Sequence, residues 1–77
     1  YFDKLFNNLI MAKIQLNGRN FKIVQKLTIK QLLSKHKLNE NRIAIELNGS
    51  ILPKSKFKKT FLKNKDKVEI VHFIGGG

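Results

Sequence analysis

The chain has 77 residues and a formal charge of +11, with 16 Lys and Arg against 5 Asp and Glu, and it contains no cysteine. A chain of this length supports one small domain, burying only about 60% of its unfolded surface, which leaves no room for an enclosed active site. The absence of cysteine removes disulfides, thiolate metal sites and cysteine nucleophiles, and two histidines with five scattered carboxylates do not make a metal cluster.

Residues 1–10 stand apart from the remainder of the chain. Met11 is the first methionine and opens a strand-like pattern, so the domain is expected to start there. In the prefix, Phe2, Leu5, Phe6, Leu9 and Ile10 are spaced as a helical stripe. Ten residues form only a marginal helix unless they dock. Asp3 and Lys4 also cancel where a membrane-surface helix would carry a basic face. The expectation is an extension, either disordered or weakly docked.

From Lys13 the pattern alternates, with Ile14 and Leu16 on one side and Lys13, Gln15 and Asn17 on the other, as a strand with one buried face requires. Asn17-Gly18 readily adopts positive φ values, so residues 21–24, with Ile23 on the buried face, are expected to return antiparallel and complete a hairpin. Thr28 and Gln31 fit a capping box, and Leu27 with Leu32 fits the hydrophobic staple that accompanies one. Ile29, Leu32, Leu33 and His36 follow one helical face, predicting a helix over residues 29–37 with Lys35 and Lys37 at its negative pole. His36 is expected at the edge of the core, without a catalytic role, and Leu38 closes that end.

Residues 42–48 alternate again, with Ile43, Ile45 and Leu47 inward and Glu46 outward. A second Asn-Gly pair, Asn48-Gly49, turns the chain into Ser50-Ile51-Leu52. Pro53 has no N–H for a ladder and marks the end of an edge strand. Phe57 and Phe61 sit among lysines in a loop or short helix, and Asn64-Lys65-Asp66 reads as a turn. A last strand over 67–73 puts Val68, Ile70 and His72 on the core side, and Glu69, Val71 and Phe73 on the open face. The order β-β-α-β-β-β predicts an α+β domain: one helix packed on a mixed sheet, with the final strand beside and parallel to the first.

The chain then ends in Gly75-Gly76-Gly77. Glycine loses more backbone freedom on ordering than any other residue, so stability gives no reason for such an ending. A thin glycine thread can pass along a narrow channel and deliver the Gly77 carboxylate to another protein's active site. With an ordinary pKa of roughly 3.3–3.7, that group is an anion at neutral pH, able to attack an activated phosphate.

Charge and hydropathy narrow the remaining classes. No apolar stretch approaches the roughly 20 residues needed to cross a bilayer, and no charged n-region precedes an apolar h-region, so a soluble, unsecreted, cytoplasmic chain without membrane contact is expected. Lysines occur in strands, helix and loops alike, whereas phosphate-tracking surfaces gather them on one face. Only Arg19 and Arg42 could make bidentate contacts. The abundance of Asn and Ile beside two alanines points to compositional bias rather than to nucleic-acid binding. The same charge would speed encounter with an acidic protein partner.

The segment Ile43-Ala44-Ile45-Glu46-Leu47-Asn48-Gly49, followed by Pro53, Ser55 and Phe57 and by the ending Asp66-Lys67-Val68-Glu69-Ile70-Val71-His72-Phe73-Ile74-Gly75-Gly76-Gly77, closely resembles the sulfur-carrier proteins of bacterial thiamine-thiazole biosynthesis, the ThiS family. Gln15-Leu16-Asn17-Gly18 and Thr28-Ile29 fit the same pattern. The resemblance covers residues 11–77, departing from the family in its lysine content and in Phe57, where members often carry a tryptophan.

This resemblance implies a β-grasp, or ubiquitin-like, fold over residues 11–74 with a flexible tail at 75–77. It implies that an adenylyltransferase of the ubiquitin-activating type joins the Gly77 carboxylate to AMP, using ATP and Mg²⁺ held by that partner. Cysteine-derived sulfur then replaces AMP, and thiazole synthase takes the sulfur from the resulting thiocarboxylate. The chain itself would bind no cofactor, perform no catalysis and be monomeric when free. Gly75 and Gly76 would thread the tail. Val71, Phe73, Phe57 and Phe61 are candidates for an apolar docking patch, with cover for the lower core as the competing role of the last two. His72 is assigned to packing or partner contact rather than to base catalysis. The alternatives are the small subunit of molybdopterin synthase, a ubiquitin-like modifier and, from another class, a basic nucleic-acid-binding module.

Overall fold

Two Asn-Gly turns organise the sheet. The computed structural model describes residues 11–24 and 26–73, so the expectations for residues 1–10 and for Gly75, Gly76 and Gly77 lie outside the described residues. Asn17 and Gly18, with φ of 48° and 82°, join β1 (Met11–Leu16) to β2 (Arg19–Val24) as an antiparallel hairpin. Positive φ at both central residues gives a turn whose twist matches that of the flanking strands. Asn48 and Gly49 repeat the arrangement, at 52° and 87°, between β3 (Ile43–Leu47) and β4 (Ser50–Leu52).

The helix α1 (Ile29–Lys35) starts where the capping box predicts. Thr28 Oγ1 accepts the Gln31 N–H at 3.1 Å, and Gln31 Oε1 accepts the Thr28 N–H at 2.9 Å. The other first-turn donors are also paired: Ile29 N–H to the Thr60 carbonyl, Lys30 N–H to the Phe57 carbonyl and Leu32 N–H to the Thr28 carbonyl. The segment after β4 thus closes over the helix N-terminus and satisfies the amides that a helix cannot pair internally.

The helix stops two residues short of the predicted end. Lys37 takes a left-handed φ of 57°, its N–H donates to the Ser34 carbonyl, and the Leu38 N–H donates to the Leu33 carbonyl. That pair of bonds is a Schellman ending, with lysine where glycine is usual. The apolar stripe therefore ends at Leu33. His36 caps the helix in an exposed position, edge-on to the Phe21 ring at 5.7 Å between centroids, rather than at the margin of the core.

The strands form one five-stranded sheet in the order β2-β1-β5-β3-β4, where β5 is Lys67–His72. β5 lies parallel to β1, as expected, and antiparallel to β3. Short 3₁₀ turns at Glu40–Arg42 and Lys54–Lys56 precede β3 and follow β4. Pro53 ends β4, an edge strand, where its missing N–H costs no ladder bond. No helix among the described residues is long and apolar enough to cross a membrane.

The core gathers Ile14, Leu16, Ile23, Ile29, Leu32, Leu33, Ile43, Ile45 and Val68, all expected, with Leu47 and Ile70 half-buried against it. Ala12, Leu27, Phe57 and Leu62 join them. Phe57 is only 2% exposed, which corrects its expected place in a docking patch. Its carbonyl is held by the helix N-terminus, and its ring fills the interior beneath that contact.

Candidate functional site

The strand that leads to the glycines is fastened on both sides. On the β3 side it shares five register pairs, from Leu47 opposite Val68 to Ile43 opposite His72. The Phe73 N–H extends that ladder by one bond, to the Arg42 carbonyl at 2.9 Å. On the β1 side only Gln15 with Lys67 and Leu16 with Val68 are paired.

Side chains from the two Asn-Gly turns make up the difference. Asn17 Oδ1 accepts the Ile70 N–H at 2.6 Å, one step beyond the end of β1. Asn48 Oδ1 accepts the Lys67 N–H at 2.8 Å, and Asn48 Nδ2 donates to Asp66 Oδ1 at 2.9 Å. Asp66 is buried, and its other carboxylate oxygen accepts the Lys63 N–H at 2.7 Å. Each of these side chains thus holds a backbone or turn group that sets where β5 begins and how it is aimed.

The alternation of β5 puts Val68 and Ile70 against the helix side and turns Val71 and Phe73 outward, 57% and 49% exposed. Val71 lies opposite Ala44 in register, and Ile51 on β4 lies opposite Glu46, so Ala44 and Ile51 share the open face with Val71. The result is an apolar surface beside the last described residue before the tail, next to a cross-strand pair of carboxylates, Glu46 opposite Glu69. His72 occupies the core-side register expected for it, opposite the buried Ile43, yet is itself exposed.

Phe61 does not belong to this surface. It is exposed, but it bridges Thr28 at the start of α1, whereas Val71 lies where β3 begins, after the helix has ended. The structure therefore brings together Val71 and Phe73, places Phe57 in the core and sets Phe61 at the other end of the helix. Ala44 and Ile51 are the surface residues that sequence reasoning missed. The alternation of 43–47 with an antiparallel β4 carried the signal for both. Among the described residues, no group of three or more His, Asp or Glu side chains is placed to hold a metal ion.

Comparison with known proteins bears on this arrangement. A family model described as the ThiS family matches residues 14–77. The chain is 42% identical over 64 residues to the uncharacterized protein ycf40 of Porphyra purpurea, covering 83% of this chain and 90% of that protein. It is 37% identical over 65 residues to the sulfur carrier protein ThiS of Bacillus subtilis (strain 168), covering 83% and 98% respectively. A thiazole synthase of Paramagnetospirillum magneticum contains a stretch 35% identical to 84% of this chain, amounting to 20% of that much longer protein. Among solved structures, the crystal structure of a thiamine biosynthesis protein (ThiS) from Geobacter metallireducens superposes with a TM-score of 0.74 at 32% identity, covering 86% of this chain and all of that one.

Proposed function

The chain belongs to the ThiS family, and from that premise we propose that it carries sulfur for the thiazole ring of thiamine, as a thiocarboxylate on Gly77. The observation that carries this reading is the family match itself, which spans residues 14–77, from within β1 to the terminal glycines. The fold supports it by bonding β5 and the Phe73 amide to β3 and its approach, four positions before the sequence ends at Gly77.

In this reading the carboxylate attacks the α-phosphorus of ATP on an activating partner of the ubiquitin-activating type, releasing pyrophosphate. The acyl-adenylate is electrophilic at the Gly77 carbonyl. Sulfur at the sulfide level, supplied from cysteine, displaces AMP and leaves the thiocarboxylate. Thiazole synthase is the acceptor, and the occurrence of a similar stretch within longer thiazole synthases supports that partnership. ATP, Mg²⁺ and the catalytic groups reside on the partners, and Val71 and Phe73 are the residues by which they grip the carrier. Glycine at 75 and 76 lets a channel close around bare backbone.

The test is intact-mass analysis of the chain after incubation with an activating enzyme, ATP and a sulfur source. Replacement of one oxygen by sulfur adds roughly 16 Da at a group that is ionised at neutral pH. A mass unchanged while the same enzyme loads a known carrier would overturn the proposal.

A further inference from the structure

The open face of the sheet carries two chemically distinct halves. Toward the tail lie Val71, Phe73, Ala44 and Ile51 with the Glu46 and Glu69 carboxylates. Toward the other end, Lys13 stands opposite Lys22 across β1 and β2, and Gln15 stands opposite both Asn20 and Lys67. Lys13, Lys65 and Lys67 line a single shallow concavity of about 370 Å³ with Gln15, Asn20 and Asn64. No carboxylate lines it, and among the described residues the ion pair found, Lys30 with Glu40, lies on the helix side.

Turn chemistry holds this cationic hollow in shape. The Lys65 N–H donates to the Lys13 carbonyl at 2.7 Å, and the Lys13 N–H donates to Asn64 Oδ1 at 2.8 Å. The backbones bearing Lys13 and Lys65 are therefore fixed against one another, and with Lys67 they gather like charges in one hollow. Such a concentration of positive charge attracts an opposite charge from outside.

Resting on the carrier reading above, we infer that the Lys13, Lys22, Lys65 and Lys67 half of this face receives an acidic surface of the protein that acts on the tail. The two halves then orient docking. The partner's acidic groups meet the lysines, its apolar groups meet Val71 and Phe73, and a basic group beside its tail channel meets Glu46 and Glu69. A partner turned end for end would set its acidic groups against Val71 and Phe73 and its apolar groups against the lysines, so the pattern selects the one pose that aims β5 into the channel. The face is continuous from Lys67 through Glu69 to Val71 on a single strand, so the two contacts form one interface rather than two.

The experiment compares the full chain with Lys13→Glu/Lys65→Glu/Lys67→Glu and with a control, Lys56→Glu/Lys58→Glu/Lys59→Glu, which changes net charge equally but off this face. Association with an activating enzyme is followed by stopped flow at low and high salt, and loading is followed by intact mass. The expected result is an association rate lowered about 10-fold or more for the first variant only at low salt, converging with wild type at about 0.5 M salt, where charges are screened beyond a few ångströms. Loading at saturating enzyme stays complete, so the effect falls on KM. Circular dichroism melts confirm that both variants are folded. Equal effects of the two variants, or none, overturn the inference while leaving the carrier reading intact, because wild-type loading reports on that separately. A loss of nucleic-acid binding by the first variant with loading kinetics unchanged also overturns it, by assigning the hollow to phosphates.

Discussion

Asn17 Oδ1 and the Ile70 N–H are hydrogen-bonded at 2.6 Å across 53 positions of sequence. A residue whose backbone makes the first hairpin turn therefore also holds the strand that bears the tail. With φ at 48°, its backbone is one that glycine adopts without strain and alanine does not. Asn17→Gly is expected to lose the hydrogen bond, about 1 kcal/mol, with relief of left-handed strain roughly offsetting the freer unfolded chain. Asn17→Ala adds left-handed strain of roughly another 1 kcal/mol. Urea denaturation gives the two losses, and amide exchange at Ile70 should accelerate in both. Equal stability of the glycine variant and wild type would show that the bond contributes nothing.

Phe57 and Phe61, four residues apart among lysines, should respond very unequally to truncation. Phe57 is 2% exposed beneath the helix N-terminus, so Phe57→Ala should cost about 3–5 kcal/mol, a large part of the stability of so small a domain. Phe61→Ala, at a half-exposed site, should stay within about 1 kcal/mol. Thermal melts of the pair decide the matter, with Phe57→Leu held in reserve should the alanine variant fail to fold.

Val71→Ser/Phe73→Ser removes the exposed apolar pair beside the tail without touching the core. Stability should change by less than about 0.5 kcal/mol, while KM for loading by an activating enzyme rises about 10-fold, since exposed aromatic residues such as Phe73 are enriched at interfaces. Gly76→Val is the complementary change, expected to abolish loading at any enzyme concentration while leaving the melting curve unchanged. Loading of the double serine variant at wild-type KM would remove these two residues from the interface.

Lys37 holds the left-handed position that ends α1. Lys37→Gly relieves that strain but frees the unfolded chain, and the difference should leave the variant about 0.5 kcal/mol more stable. Lys37→Val should be destabilised by roughly 1 kcal/mol, because its β-branch crowds the left-handed backbone beyond the strain lysine already carries. Chemical denaturation of the two variants tests whether the Schellman ending sets the length of the helix.

Much of this architecture was legible from local chemistry. Alternation revealed which faces of β1, β3 and β5 are buried, the two Asn-Gly pairs marked their turns, and Thr28 with Gln31 marked the helix start. The helix end was less visible, because a lysine occupies the left-handed position that glycine usually announces. The 53–66 segment was the least legible. Its lysines mask Phe57 and Leu62, whose burial depends on backbone bonds to Leu27 and Lys30 far away in sequence. The open apolar surface was half visible for the same reason: Val71 and Phe73 follow from strand period, whereas Ala44 and Ile51 join them only through cross-strand register.

The unequal seams on either side of β5 have a mechanical meaning. An enzyme that drew the terminus into a channel, as proposed above, would pull this strand lengthwise, and the five-pair ladder with β3 would meet that load in shear rather than by peeling one bond at a time. Tension reaches the Arg42 carbonyl first, through the Phe73 amide, and is shared down the ladder before it reaches the short seam with β1. The domain is thus built like a handle, able to be tugged by its end without coming apart.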